Sequence, residues 1–289
     1  MFGLLNINKP PGKTSRDVVN HVQRIVRPVK VGHAGTLDPL ATGVLVLCLG
    51  PATRLIEYVQ RMPKCYSATF VLGRRSDTED VDGEVTEIHN APQPTQDQFV
   101  ANLPLFMGEI EQRPPAYSAV KIKGKRAYQL ARAGHEVSIP ARNVTIYKLE
   151  LLQYAYPDLT IQVECGSGTY IRSLGRDLAE SLGSGAVLSS LVRTAIGDFT
   201  IDNALELEHV SADSISKQLQ PATHAVTNLR RTELTDDEVR RIGHGLVIDN
   251  RLNWPDTEIA AIDSTGKLVA ILTPKDSGQL RPLRVFPAS

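Results

Sequence analysis

The sequence predicts a mixed α/β (α+β) fold, on three observations. Six consecutive apolar residues, Val44-Leu45-Val46-Leu47-Cys48-Leu49, have the length and composition of a buried strand. Lys64 to Leu72 partly alternates apolar and polar side chains, the period of a strand. Between such segments, apolar residues recur at helical spacing, as at Val18, Val19, Val22, Ile25 and Val26. The two patterns interleave without the strict repeat of a parallel sheet.

The elements follow in order. Gly3 to Asn8 reads as a strand and Pro10-Pro11-Gly12 as a turn. Ser15 is the expected N-cap of a helix that Pro28 ends. Gly32 to Gly43 is a loop pinned to the edge of the core by the strand after it. Its glycines Gly32, Gly35 and Gly43 allow tight or left-handed turns. A short helix spans Ala52 to Gln60, the alternating strand Lys64 to Leu72, and a further helix Thr95 to Leu103 after the loop Asn90 to Pro94. Pro114-Pro115 opens a basic segment with a short strand at Ser118 to Ile122, a turn at Gly124 and a helix from Ala127 to Ala133. Val144 to Tyr156 and Leu159 to Cys165 form a hairpin turning at Tyr156-Pro157-Asp158. A helix follows from Tyr170 to Ser181. Beyond it come a short helix around Thr235 to Arg241 and strands at Ile259–Asp263, Leu268–Thr273 and Leu280–Phe286. Residues 1–229 therefore read as one domain and 230–289 as a small β-rich one.

Composition narrows the function. The 289 residues carry 32 basic and 32 acidic side chains, so the chain is not basic all over. No segment approaches the roughly 18 apolar residues of a membrane span, and the first residues run straight into a strand pattern without a signal peptide. Cys48, Cys65 and Cys165 lie far apart in apolar stretches and read as reduced thiols of a cytoplasmic protein. Charge is unevenly placed. From Arg113 to Arg132 there are six basic residues and no acidic ones, with Tyr117 and Tyr128 among them. Asp77 to Glu87 holds six acidic residues and no basic ones. A basic patch with aromatics suits phosphate contact and base stacking, and it equally describes a solvated hairpin.

Several familiar motifs fail. Gly12-Lys13-Thr14 lacks the earlier glycine of a phosphate loop, because Ile7 stands there. Aligning Gly83 with the turn glycine of a calcium loop puts Thr78 first and His89 last, where carboxylates are needed. No Cys or His spacing supports zinc, and Gly166-Ser167-Gly168 lacks the nucleophile-elbow pattern. What remains is Gly32-His33-Ala34-Gly35-Thr36-Leu37-Asp38-Pro39-Leu40-Ala41-Thr42-Gly43. Asp38 precedes a proline, which restricts its backbone. Alone it is a candidate catalytic group or a turn aspartate.

The set of motifs decides more than any one of them. Asn8-Lys9-Pro10-Pro11-Gly12-Lys13-Thr14-Ser15 and the glycine loop resemble the first motifs of the bacterial tRNA pseudouridine synthases of the TruB type. So do Tyr66 with Leu72-Gly73-Arg74-Arg75-Ser76-Asp77-Thr78 and Asp82-Gly83, and Arg113 to Lys121. Gly168-Thr169-Tyr170-Ile171-Arg172-Ser173-Leu174 and Leu191-Val192-Arg193-Thr194 complete the set, in order, over roughly residues 3 to 200.

The resemblance implies isomerisation of uridine 55 in the T-loop of tRNA to pseudouridine. It implies a pseudouridine synthase core with a large mixed β-sheet flanked by helices, a thumb-like RNA-gripping insertion at 113–142, and a C-terminal PUA-like domain. That reaction breaks the ribose C1′–N1 bond, turns the uracil and joins C1′ to C5, and it calls for no metal or cofactor. By correspondence Asp38 is the nucleophile. Burial alone would protonate a carboxylate, so such a site wants a cation, and Arg172 corresponds to it. Tyr66 corresponds to a tyrosine that stacks on the uracil, with proton transfer second, and Leu191 to an apolar wall. The target must be flipped out of its loop, and His33 corresponds to the side chain that fills the gap. Lys9 and Lys13 are expected phosphate contacts. Tyr170, Lys121, Lys123, Lys125 and Arg126 are expected on the RNA-binding surface. The expected partner is the tRNA T-loop and T-stem, with no membrane, no obligatory protein partner and no oligomer. A catalytically silent RNA-binding module and a guide-RNA-dependent relative are the alternatives. Intact Asp38, Tyr66 and Arg172 oppose the first, and the 113–142 insertion opposes the second.

Overall fold

The computed structural model describes residues 1–118, 120–122, 124–135, 137–251, 257–275 and 278–287, and for Lys121 the backbone alone. Its frame is a ten-stranded mixed sheet. In chain order the first half contributes β1 (Gly3–Lys9), α1 (Ser15–Ile25), β2 (Val31–His33), β3 (Thr42–Leu49), α2 (Ile56–Arg61) and β4 (Lys64–Leu72). A small hairpin, β5 (Arg74–Arg75) and β6 (Thr86–Glu87), precedes α3 (Gln96–Asn102) and β7 (Gly108–Gln112). The insertion carries a second hairpin, β8 (Lys121–Ile122) and β9 (Lys125–Arg126), then α4 (Ala127–Arg132). The core closes with β10 (Arg142–Ala155), β11 (Asp158–Cys165), α5 (Ile171–Glu180), β12 (Ala186–Ile196), β13 (Phe199–Thr200), β14 (Leu205–Glu206) and α6 (Ala212–Gln218).

The sheet order is β14-β1-β3-β12-β4-β11-β10-β7, with β2 beside β3 and β13 on β12. Pairings of β1 with β14 and of β3 with β12 are parallel, and the others are antiparallel. The apolar run of β3 is unbroken because both its faces are covered. Leu45, Leu47 and Leu49 pack with Val18, Val19 and Val22 of α1, while Val44, Val46 and Cys48 face Leu55 and Val59. Strand β4 is covered on one face, so it alternates. Tyr66, Ala68, Phe70 and Leu72 are buried against Leu174 and Leu178 of α5, and Cys65, Ser67, Thr69 and Val71 are half-exposed. Cys48 and Cys165 are buried and Cys65 is half-exposed, all as free thiols.

A second, five-stranded sheet is built from β15 (Arg230–Glu233), β16 (Ile248–Asp249), β17 (Ile259–Ile262), β18 (Leu268–Lys275) and β19 (Gln279–Val285), in the order β15-β17-β18-β19-β16. Helix α7 (Asp236–Gly243) contributes Ile242 to its core. The two sheets share a hydrophobic cluster in which Phe286 stacks on Phe2 with ring centroids 5.2 Å apart. Tyr58 Oη donates to Glu258 at 3.1 Å across the same junction.

Several expectations need correction. The N-cap of α1 is Thr14, not Ser15. Thr14 Oγ1 accepts from the Asp17 amide, and the Asp17 carboxylate accepts from the Thr14 amide, a reciprocal cap. Gly32 lies in β2 and has no left-handed backbone. A Cβ there would sit 2.8 Å from Ile56 Cδ1, the movable end of a half-buried side chain. The helix expected at 52–60 begins as a 3-10 turn, Gly50–Leu55, before α2. The edge strand β7 and the central strand β12 had no clear sequence signal.

Helix α5 approaches β4 so closely at Gly175 that a Cβ would fall 2.0 Å from Phe70 Cε1. Gly175→Ala should therefore lower stability by about 1–3 kcal/mol despite alanine's better helix propensity. Urea unfolding checks this. A wild-type midpoint would contradict it, and a second change, Phe70→Leu, should restore part of the loss.

Candidate active site

The loop 34–41 carries Asp38 and is fastened along its length. Ala34 N donates to Val46 O at 2.9 Å, and Arg193 Nη2 donates to Gly35 O at 3.1 Å. Ser15 Oγ accepts from Leu37 N at 2.8 Å and donates to Leu37 O at 3.1 Å. Not being the cap, Ser15 is free to tie α1 to the residue before Asp38. Gly12 N donates to Pro39 O at 2.9 Å. Gly35 and Gly43 hold φ of 122° and 96°, where a side chain is strained. A Cβ on Gly43 would also lie 2.3 Å from Arg193 O, so glycine lets β3 pair with β12 there.

Lys9 completes this clamp, which corrects its expected role. It is fully buried. Its ammonium donates to Pro10 O, Lys13 O and Pro39 O at 3.0, 2.7 and 3.3 Å. A phosphate cannot reach it. Burial pulls its pKa from 10.5 down to about 8, against the opposing charge of Asp38. Lys13 is exposed.

Arg172 opens α5, whose first residues are set by Gln112. That side chain accepts from Tyr170 N at 2.8 Å and donates to Tyr170 O at 3.0 Å. The Arg172 side chain is only 6% exposed and meets four acceptors. Nη2 lies 3.0 Å from Asp38 Oδ2 and donates to Tyr117 O at 3.0 Å. Nη1 lies 3.3 Å from Asp80 Oδ2 and donates to Thr78 O at 2.5 Å. Asp80 is a partner the sequence reading missed. Its side chain is 7% exposed, while that of Asp38 is 44% exposed. Thr78 Oγ1 and the Asp82 amide also donate to Asp80 Oδ1, at 2.5 and 3.1 Å. The segment is anchored to β12, where Val81 N donates to Leu188 O and Leu188 N to Glu79 O, both at 3.0 Å. Glu79 has a left-handed φ of 62° and takes hydrogen bonds from Ser173 Oγ and Arg176. Burial raises its pKa, and Arg176 opposes that. Within the acidic run, Glu79 and Asp80 are thus internal wiring, while Asp77, Asp82, Glu84 and Glu87 are exposed.

Tyr66 and Leu191 stand beside this ion pair in one apolar cluster with Leu37, Ala41 and Ile171. Tyr66 is 8% exposed and opposes Arg193 across β4 and β12. Burial raises its phenol pKa while the Arg193 charge works the other way. The hydroxyl stays protonated at neutral pH. Arg193 is itself buried, with Nε donating to Val44 O at 2.7 Å. His33 is half-buried at the end of β2, and burial, then the charges of Arg16 and Arg193, lower its pKa. Its imidazole is therefore neutral at neutral pH. Tyr170 lies under Arg142, whose guanidinium carbon is 5.1 Å from the ring centroid. Lys125 and Arg126 are exposed on the insertion hairpin. Lys123 and the Lys121 side chain lie outside the described residues. The insertion is joined to the site through Tyr117 O on Arg172 and Arg113 O on Arg176 at 3.2 Å. Among the described residues no group of three His, Cys, Asp or Glu side chains could hold a metal ion.

Residues 23–171 match the family model described as TruB family pseudouridylate synthase, N-terminal domain. A protein of Dehalococcoides mccartyi named tRNA pseudouridine synthase B is 44% identical over 291 residues, covering 99% of this chain and 97% of the relative. A Synechocystis protein of the same name is 43% identical, covering 98% of each chain. Among solved structures, the Cbf5-Nop10-Gar1 complex aligns over 100% of this chain and 84% of its own at a TM-score of 0.75 and 27% identity. The structure of H/ACA RNP bound to a substrate RNA containing 2'-deoxyuridine aligns over 99% and 86% at 0.75 and 25%. Fold and sequence together define an isomerase of the pseudouridine synthase class. Within that class, the chain belongs to the TruB family of pseudouridylate synthases. No helix among the described residues is long and apolar enough to cross a membrane.

Lys9 gives the clamp a pH signature. An unfolded lysine holds its proton to about pH 10.4, whereas folded Lys9 releases it near 8. Between those values the unfolded chain binds more protons, so this residue makes stability rise with pH. The unfolding free energy of the wild type minus that of Lys9→Met should climb from about pH 8 to 10.5. Urea denaturation across that range measures it. A flat difference would contradict the buried-ammonium assignment.

Proposed function

We propose that this protein converts uridine 55 in the T-loop of tRNA to pseudouridine, with Asp38 as the nucleophile. The carrying observation is the ion pair of Arg172 with Asp38 at 3.0 Å, in which the arginine is buried and the carboxylate half-open. A charged oxygen is thereby held at a fixed place with one face left to a substrate. The names of the bacterial relatives, tRNA pseudouridine synthase B, support tRNA as the substrate.

The chemistry follows from these residues. Attack by Asp38, at sugar C1′ or at base C6, gives the covalent adduct through which the C1′–N1 bond is exchanged for C1′–C5. The base loses its C5 proton and gains one at N1, so the product is an isomer and no cofactor is consumed. Tyr66 stacks on the uracil, and Leu191 walls the pocket that keeps the detached base from leaving. Flipping the uridine costs a few kcal/mol, offset by that stacking. His33, flat and neutral, fills the space vacated in the loop and hydrogen-bonds from its edge. The 113–142 insertion closes on the T-loop with Lys121, Lys123, Lys125, Arg126 and Tyr128 towards phosphates and bases. Tyr170 lines the RNA side of the site, and Lys13 contacts phosphate. Residues 230–289 act as a PUA-like RNA-binding domain beside the catalytic domain of residues 1–229. The protein works in the cytoplasm as a monomer without a guide RNA or partner protein.

Asp38→Asn keeps shape and removes the nucleophile. Tritium release from tRNA labelled at uracil C5 should fall by about a thousandfold or more, while filter binding of tRNA stays within a few-fold, since affinity rests largely on phosphate contacts. A near-normal release rate would remove Asp38 from its role.

A further inference from the structure

The basic insertion is not the only cationic surface at this site. Residues 13–30 carry Lys13, Arg16, Arg24, Arg27 and Lys30 against a single carboxylate, Asp17. That carboxylate is occupied by the Thr14 amide and hydroxyl at 2.9 and 2.6 Å. All five cations are exposed, and among the described residues none has a carboxylate partner within ion-pair distance. Arg24 spends only Nε, on Asn20 O at 3.2 Å.

Geometry gathers the charges. Arg16, Asn20 and Arg24 recur at steps of four, which sets them along one side of α1, and Arg27 follows in the turn just past its C-cap, Val26. The opposite side, Val18, Val19 and Val22, is buried against Leu5, Ile7, Leu45 and Leu47. Arg16 to Arg24 spans about 12 Å of helix axis, matching about three phosphates of one strand. The face begins at the site. Ser15 fixes the first turn of α1 to Leu37, and Arg16 is near enough to His33 for its charge to oppose protonation of the imidazole. The insertion reaches Asp38 from the Arg172 side and α1 from the Leu37 side. An extended polyanion whose base enters at Asp38 therefore meets positive charge on both flanks.

We propose that the exposed face of α1 at Arg24, together with Arg27 in the turn that follows the helix, is a second RNA surface that takes backbone phosphates of the tRNA strand running past the target uridine. The inference rests on tRNA being the substrate. The test uses the full chain with Arg24→Gln/Arg27→Gln, and with Arg24→Glu/Arg27→Glu. Both positions are exposed, and a thermal melt verifies folding. Filter binding of an unmodified tRNA transcript between about 50 and 200 mM salt should show affinity about tenfold weaker at the low end and a log–log salt slope flatter by about 1 to 2. Charge reversal should weaken it further. Wild-type affinity and slope in both variants would overturn the proposal and return this face to ordinary solvated surface. Failure of the underlying reading looks different: wild-type protein would then leave no pseudouridine in the transcript.

Discussion

Everything at this site hangs on one buried guanidinium. A charge as enclosed as that of Arg172 costs several kcal/mol unless it is paired and hydrogen-bonded. Here two carboxylates and two backbone carbonyls surround it. The carboxylates are not equivalent. Asp80 is as enclosed as the arginine and holds further donors from Thr78 and Asp82. Asp38 has no such company and stays half-open. One acid thus keeps the arginine in place, and the other is kept by it. The four acceptors come from the Asp38 loop, the acidic segment and the insertion, so the guanidinium also joins three pieces of chain distant in sequence.

The same economy governs the loop around Asp38. A carboxylate on a loop would wander, and this one is held by backbone hydrogen bonds to Ala34, Gly35, Leu37 and Pro39 from β3, Arg193, Ser15, Lys9 and Gly12. Two of these holders, Lys9 and Arg193, are buried cations satisfied by carbonyl groups. They add positive potential behind the loop, on the side away from solvent. Fixed donors and charges of this kind need no rearrangement when a negative substrate arrives.

The sequence made some of this legible. The bounds of β4 followed from alternation, because one of its faces is covered and the other is not. β3 was visible because covering both faces demands an uninterrupted apolar run. β12 escaped notice for a physical reason. Ser189, Ser190 and Arg193 interrupt its pattern, two register shifts break its period, and its arginine points into the protein. Edge strand β7, with Glu109 and Glu111 exposed, reads as loop. Asp80 was one of six acids in a run to which no role was given, and its bridge to β12 at Leu188, which sets it against Arg172, is not written in the local sequence. Lys9 looked like a surface cation beside two prolines, and nothing local shows that its ammonium is closed in. Asp38, Tyr66, Leu191 and Arg172 were found by likeness to a family, and the fold then brought them together through β4, β12 and α5.

The fork of Arg172, and not its charge alone, sets the geometry of Asp38, the proposed nucleophile. Arg172→Lys tests it most directly, because lysine keeps the charge and loses the planar array that serves four acceptors at once. The measurement is single-turnover tritium release from tRNA at saturating enzyme. The rate should fall by about a hundredfold or more, with tRNA affinity within a few-fold of wild type. A release rate close to wild type would contradict it.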